Sequence, residues 1–217
     1  MSQKILIIGS GGHARSVADI LLSQPEKYTV CGFIDRNRVL WGTSIYGIPV
    51  LGDDRTVNDY SPIEISLVNG IGSTEDTTKR REIFELFKGM GFSFCQVISE
   101  FSYLSKRASF GEGFQLMPGG VVQPGCEIGD NVIINSRASV DHDCAIGSHS
   151  HIAPGVTISG SVVIGDSAHI GSGAAIIQGV RIGDRCLIAA GSVVVSDVAS
   201  GDFAAGVPAK PIKRLLR

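Results

Sequence analysis

The sequence predicts two folds in series, a small α/β parallel sheet of Rossmann-like type followed by a parallel β-helix. Three observations carry this. In residues 1–100 short apolar runs alternate with helical patterns, beginning with the strand "KILIIG" and the glycine turn "SGGHA". From Leu104 an aliphatic or aromatic residue recurs at every sixth position, without a gap, as far as Val194. Glycine is abundant, at 28 residues, while aromatic residues make up only 6% of the chain, which suits a turn-rich, tightly stacked architecture. The expected boundaries are 1–100 for the α/β domain, 101–200 for the β-helix and 201–217 for a basic C-terminal tail.

In the first domain "KILIIG" (4–9) is a buried strand, and "SGGHARSVADILLSQ" turns through glycines into a helix. "YTVCGFID" (28–35) is the second strand and "IEISLVNGIG" (63–72) the third. "STEDTTKRREIFELFKGMGF" has an acidic, Ser/Thr-rich start and then Ile83, Phe84, Phe87 and Met90 at helical spacing. "FSFCQVI" (92–98) reads as a further strand. Alternation of this kind builds a small doubly wound sheet.

In the second domain the sixfold anchors run from Leu104 and Phe110 through Val140 and Ile146 to Ile188 and Val194. Four places after each anchor stands mainly a compact residue, as at Ala108, Ala138, Val156 and Ala174, with Phe114 the bulky exception. Glycine directly follows the anchor at 111, 129, 147, 165, 171 and 183. Each hexad supplies a short strand and a turn, and three hexads make one triangular coil. Coils then stack at the inter-strand spacing of ~4.8 Å. Cys126, Cys144 and Cys186 occupy compact interior positions, so they are expected to be small core residues, without redox or metal work.

The five cysteines (Cys31, Cys95, Cys126, Cys144, Cys186) contain no CxxC pair and no disulfide-like cluster, which points to a reduced cytoplasm. A formal net charge of −2 gives no broad attraction for nucleic acid or an anionic membrane. No apolar run approaches the ~18 to 20 residues of a membrane span, and no basic-plus-apolar leader precedes the first strand. The expectation is a cytoplasmic protein with no nucleic-acid and no membrane partner.

Two motifs carry chemistry. In "IIGSGGHARS" a glycine turn between strand and helix exposes backbone N–H groups and a helix N-terminus, the usual seat of a phosphate. Asp35 ends the second strand where an acid commonly contacts a ribose, and His13 in the turn touches ligand or caps the helix at the surface. A domain this short leaves little room for a full dinucleotide fold, so a nucleotide other than NAD is expected. In "SVDHDCAIG" (139–147) Val140 is the interior anchor, which turns His142 outward between Asp141 and Asp143. A neighbouring carboxylate orients an imidazole and raises its basicity, as a general base near neutral pH requires. The alternative is a hydrated surface turn. "SHSHIAPG" adds His149 and His151, and a histidine cluster on a β-helix could instead hold zinc, as in the β-helical carbonic anhydrases.

Taken together, "IGSGGHA", "FID", "NGIG…KRREIF", "VDHDCAIGSHSHIAPG" and the closing "GVPAKPIKR" resemble the sialic acid O-acetyltransferase and bacillosamine N-acetyltransferase family, the NeuD/PglD-like proteins, over nearly the whole chain. The resemblance implies a left-handed β-helix, a homotrimer with active sites between subunits, acetyl-CoA as co-substrate and no metal. It implies His142 as general base and Asp143 as the acid that raises its basicity. It places Gly11, Gly12, His13, Asp35, Arg36 and Gly72 at the sugar nucleotide, with Asn135 as a polar neighbour of the reacting centre. It places His151, Ser172 and Ala190 at acetyl-CoA. Two positions depart from the common pattern: Asp143 stands where Glu is frequent, and Arg36 follows Asp35 where a second acid can occur.

The implied activity is acetyl transfer to the amino group of a nucleotide-linked amino sugar of the 4-amino-4,6-dideoxy type, for a surface glycan or O-antigen. No Ser or Cys nucleophile elbow is present, so direct transfer is expected. O-acetylation of a sugar such as sialic acid would use the same residues, and a non-catalytic nucleotide-sugar-binding β-helix is the alternative of another class. In the tail, Lys210, Lys213, Arg214 and Arg217 either contact the phosphates of CoA or are solvated beside an apolar cap of Ile212, Leu215 and Leu216.

Overall fold

The computed structural model describes residues 2–212. The chain divides into two compact units: the first holds the residues up to Gly72 and Glu82–Val97, the second Ser73–Arg81 and the described residues from Ile98 onward. The main boundary thus falls between Val97 and Ile98, slightly before the expected residue 100, and the short segment 73–81 groups with the second unit.

The first unit is built on β1 (Gln3–Ile8), α1 (Gly12–Leu22), β2 (Tyr28–Ile34), β3 (Ser44–Ile45), β4 (Ile48–Gly52) and β5 (Ser66–Asn69), followed by α2 (Thr78–Gly89) from Glu82 onward. Its sheet has the order β3-β4-β2-β1-β5, with β1 parallel to both β2 and β5. Ile5, Leu6 and Ile7 of β1 are fully buried, as a central parallel strand covered on both faces requires. The hairpin β3–β4 was not expected. Its signal is Tyr46-Gly47, a two-residue loop with both residues at positive φ, 55° and 79°, the conformation that matches strand twist.

Two expectations for this unit are corrected. Residues 92–98 are not one strand: Phe94 makes an isolated bridge with Leu67, while Ile98 packs in the β-helix core. Met90 does not join Ile83, Phe84 and Phe87 in the core and is 38% exposed. The helix ends at Gly89 and the chain turns through Gly91 at φ 89°, so helical spacing no longer holds at Met90.

The second unit is the parallel β-helix. Two-residue strands pair in parallel with those 18 residues away, as in Val122 with Val140 and Val140 with Ile158, and they stack into three faces. The first face includes Gln115–Leu116, Ile133–Ile134, His151–Ile152, His169–Ile170 and Leu187–Ile188. The second runs from Tyr103–Leu104 through Ser139–Val140 to Val193–Val194, and the third from Ser109–Phe110 to Arg181–Ile182. The anchors fill the interior as expected, and Ile98 extends the ladder one hexad earlier than Leu104. Cys126, Cys144 and Cys186 are each 1% exposed, with Sγ directed at the carbonyl oxygens of Asp141, Ser159 and Ala199.

The glycines that follow anchors serve close approach between coils. A Cβ at Gly147 would lie 2.5 Å from Asp166 Oδ1, and that carboxylate accepts the Ser148 N–H at 2.7 Å. Asp130, Ser148, Asp166 and Asp184 repeat this side-chain-to-backbone step up one corner of the coil. The expected tail is also corrected. Phe203–Gly206 adds in parallel to Leu187–Ile188 and folds back on Ala209–Pro211, so 203–211 continue the first face. Unpaired backbone donors at the end of the last coil are what this hairpin satisfies. Ile212 is 47% exposed and is not buried as a cap. Lys213, Arg214, Leu215, Leu216 and Arg217 lie outside the described residues. Among the described residues no helix is long and apolar enough to cross a membrane.

Candidate active site

In the first unit the expected ligand residues gather at the carboxyl ends of the parallel strands. The strand order reverses about β1 there, the usual crevice of an open α/β sheet. Gly11 is the N-cap of α1 and Gly12 its first residue. A Cβ at either would meet nothing within 4 Å, so packing does not demand glycine there and the helix N-terminus is left open. Gly72 approaches from the end of the next strand, where a Cβ would stand 3.2 Å from His13 Cβ. Asp35 braces this turn. Its Oδ2 accepts the Ser10 N–H at 2.9 Å and the Ser10 hydroxyl at 2.5 Å, and its Oδ1 accepts the Asn37 N–H at 2.8 Å. Ser10 was not singled out in the sequence. Arg36 forms an exposed pair with Asp54, its Nε donating at 2.7 Å.

His142 occupies the corner between the second and third faces of the β-helix, after the strand Ser139–Val140. Its side chain is 51% exposed. Nδ1 lies 2.9 Å from Asp143 Oδ2, which is consistent with an Nδ1–H donor and leaves Nε2 with a lone pair. Asp143 sits at φ 58°, the left-handed turn conformation that aspartate tolerates, and this aims its carboxylate back at the ring. Neighbouring coils supply the seat. A Cβ at Gly160 would come within 2.6 Å of His142 Cε1, and one at Gly125 would overlap Asp143 Oδ1. The hydrogen bond to Asp143, and then the charge of Asp141, raise the His142 pKa above the ordinary imidazole value.

Asn135, His151, Ser172 and Ala190 meet at a different corner, between the first and second faces. They line a cavity of about 440 Å³ that also receives Ser73, Glu75 and His169. Asn135, which the resemblance placed near the sugar, lies 3.0 Å through Nδ2 from His151 Nε2. His151 and His169 are each 4% exposed, and their rings meet edge to face at 5.0 Å. Burial depresses the His169 pKa, and the carboxylates of Glu75 and Asp76 pull more weakly the other way. Neither His169 nor Ser73 was foreseen, although one coil of 18 residues beyond His151 leads to His169. His149 faces Asn131 instead, with Nδ1 3.0 Å from the amide nitrogen. Among the described residues no group of three or more His, Cys, Asp or Glu side chains is placed to hold a metal ion.

The His142 corner and this cavity bound opposite edges of the second face. The outward residues of that face include Val121, Ser139, Thr157, Ala175 and Val193, none of them charged.

Residues 4–87 match the PglD N-terminal domain family, and residues 125–160 and 161–196 match the bacterial transferase hexapeptide (six repeats) family. The acetyltransferase domain of PglB from Neisseria gonorrhoeae FA1090, solved with acetyl coenzyme A, is 34% identical with a TM-score of 0.89, over 98% of this chain and 100% of that one. PerB from Caulobacter crescentus, solved with CoA and GDP-perosamine, is 35% identical with a TM-score of 0.88, over 96% and 97%. A histidine-to-asparagine variant of perosamine N-acetyltransferase from Caulobacter crescentus, also with CoA and GDP-perosamine, is 34% identical with a TM-score of 0.89, over 97% of each chain. No curated protein sequence matches. The β-helix is therefore left-handed, of the hexapeptide-repeat type.

Proposed function

The chain belongs to the NeuD/PglD-like family of sugar-nucleotide acetyltransferases, and from that premise we propose how its residues divide the work. The protein is an acetyl-CoA-dependent N-acetyltransferase acting on the amino group of a nucleotide-linked amino sugar. The glycine turn at Gly11 and Gly12, with His13 and Gly72 beside it, takes the nucleotide phosphates, and Asp35 holds the turn in shape through Ser10. His142 accepts the proton of the attacking amine at Nε2 while Asp143 steadies Nδ1. The cavity of Asn135, His151, Ser172 and Ala190 takes the acetyl-CoA arm.

The amine nitrogen attacks the thioester carbonyl, a C–N bond forms, and the C–S bond breaks. The nitrogen's proton goes to His142, and CoA leaves as a thiolate that takes up a proton. No acyl-enzyme is needed, since the nearby thiols Cys126 and Cys144 are sealed in the coil interior. The observation that carries this reading is the His142–Asp143 pair, outward, basic and seated on two glycines.

One protomer keeps His142 and the co-substrate cavity on separate corners. A homotrimer, in which uncharged second faces pack together, brings the cavity edge of one copy to the His142 edge of the next. The protein is cytoplasmic, where acetyl-CoA and sugar nucleotides are supplied, and its product feeds a surface glycan.

Acetyl-CoA consumption against a panel of 4-amino sugar nucleotides carrying UDP, GDP or dTDP, with sialic acid as the hydroxyl competitor, tests the reaction. An amide product with at least one amino sugar is expected; transfer to hydroxyl alone would overturn the N-acetylation reading. Sedimentation at micromolar concentration should give a trimer, and a monomer with full activity would remove the shared site. Mixed assembly sharpens this: His142→Ala and Ala190→Trp protomers, each inactive alone, should regain activity when unfolded and refolded together.

A further inference from the structure

Among the polar side chains of the cavity that have no part in the chemistry above are Ser73 and His169, which hydrogen-bond to each other. Their hydrogen bonds can be followed atom by atom. The Ser136 N–H donates to Asn135 Oδ1 at 2.8 Å, which fixes the orientation of that amide and turns Nδ2 toward His151. Asn135 Nδ2 can only donate, so His151 Nε2, 3.0 Å away, is the acceptor and the His151 proton sits on Nδ1. His151 Nδ1–H then donates to Ser73 Oγ at 2.7 Å. The Ser73 hydroxyl, with its oxygen engaged, donates its own proton to His169 Nδ1 at 2.9 Å. His169 is left with its proton on Nε2, in a ring that lines the cavity.

We propose that Asn135, His151, Ser73 and His169 form a proton-ordered chain whose last donor, His169 Nε2–H, binds a carbonyl oxygen of the pantetheine arm of acetyl-CoA. This rests on the cavity being the acetyl-CoA site. Ser73 is a positioning residue, because it acts by fixing the tautomers of both imidazoles. The chain needs both rings neutral: an imidazolium at His169 would present Nδ1–H to Ser73 and destroy the order. Burial of the His169 ring, at 4% exposure, favours its neutral form, and the Asn135 Nδ2 donor at His151 Nε2 requires a lone pair there. A donor held this way recognises an amide oxygen without adding charge to the cavity. It strengthens co-substrate binding equally before and during transfer, so its signature is affinity rather than turnover.

Three measurements on the full chain decide this. Nitrogen-15 NMR of the imidazoles in the unmodified protein should show neutral rings, with Nδ1–H on His151 and Nε2–H on His169. The opposite tautomer at His169 overturns the proposal without any variant. Calorimetry with CoA comes next: His169→Phe keeps ring shape and loses the donor, and should weaken binding about tenfold with kcat spared. His169→Gln places an amide N–H near the Nε2 position and should recover most of that affinity. Ser73→Ala should scramble the tautomer signals and weaken CoA, while Ser73→Thr restores both. If the unmodified protein binds CoA but His169→Phe binds it equally well, the donor role is wrong. If the unmodified protein fails to bind CoA, the assignment of the cavity fails instead, and the proposed ligand of His169 falls with it.

Discussion

His142 and His169 lie in the same β-helix and have been pushed in opposite directions. His142 stands half in solvent beside two carboxylates, and Asp143 and Asp141 make it a stronger base than a free imidazole. His169 is buried against another imidazole and a hydroxyl, and desolvation makes it a weaker one. A group that must take up a proton during each turnover needs water and an anion nearby. A group that must remain a neutral donor needs the reverse. Two adjacent corners of a regular coil thus supply two kinds of histidine, and what differs is which side chains the neighbouring coils place around each.

The largest effect is expected at His142. His142→Ala should fold with an unchanged melting temperature, since half the ring is already exposed, and lose about 10²- to 10⁴-fold in acetyl transfer. A loss below about tenfold would remove it from the role of general base.

Two glycines separate the corners next. At Gly160 the atoms that a Cβ would strike belong to the His142 ring, at 2.6 Å and 2.7 Å, so Gly160→Ala should tilt the imidazole and spare the core. Activity should fall by up to about 10²-fold, the cost of misplacing a reacting group by roughly 1 Å, with little change in thermal stability. At Gly171 the atoms struck are backbone, Ala190 N at 2.5 Å and Ile188 O at 2.6 Å, and these cannot yield. Gly171→Ala should cost about 1–3 kcal/mol of stability, read as a lowered denaturation midpoint. Equal stability losses at both sites would show that the His142 ring is packed rather than seated.

The same contrast explains what was legible beforehand. In the β-helix one rule sets every neighbour: a residue touches those 18 before and after it, so the interior anchors and the outward turn of His142 followed from the hexad alone. That rule also places His169 on His151 and Gly160 on His142, and both were missed because residues were read along the chain, not across coils. Ser73 could not be found that way, since its partners are 78 and 96 residues distant and no period connects them. In the α/β unit neighbours depend on turns and crossovers. The strand, glycine turn and helix at residues 3–22 were readable from local pattern, whereas the β3–β4 hairpin hung on a Tyr-Gly turn that apolar periodicity does not report. Asp35 was legible as an acid at a strand end, but its bond to Ser10 depends on how two strand ends meet.

The smallest expected effects are shifts in pH dependence, and they rank the two carboxylates. A general base works only when neutral, so activity fails as pH falls through the His142 pKa. Anions that favour the imidazolium raise that pKa and move the acid limb upward. Removing one must therefore move the limb to lower pH. The hydrogen bond from His142 to Asp143 is the larger upward influence and the charge of Asp141 the next. Asp143→Asn should move the limb further than Asp141→Asn, and the double variant should lie lowest. On the neutral plateau Asp143→Asn should also turn over a few-fold more slowly, because the asparagine no longer steadies Nδ1–H with a full negative charge. The Asp141 carboxylate accepts the His142 backbone N–H, at 2.8 Å, and not the ring, so Asp141→Asn should leave the plateau rate intact. The measurement is kcat/KM against pH with acetyl-CoA saturating. If Asp141→Asn gave the larger displacement, the ring would be steadied by the wrong acid in this account, and if neither moved the limb, the titrating base would be a group other than His142.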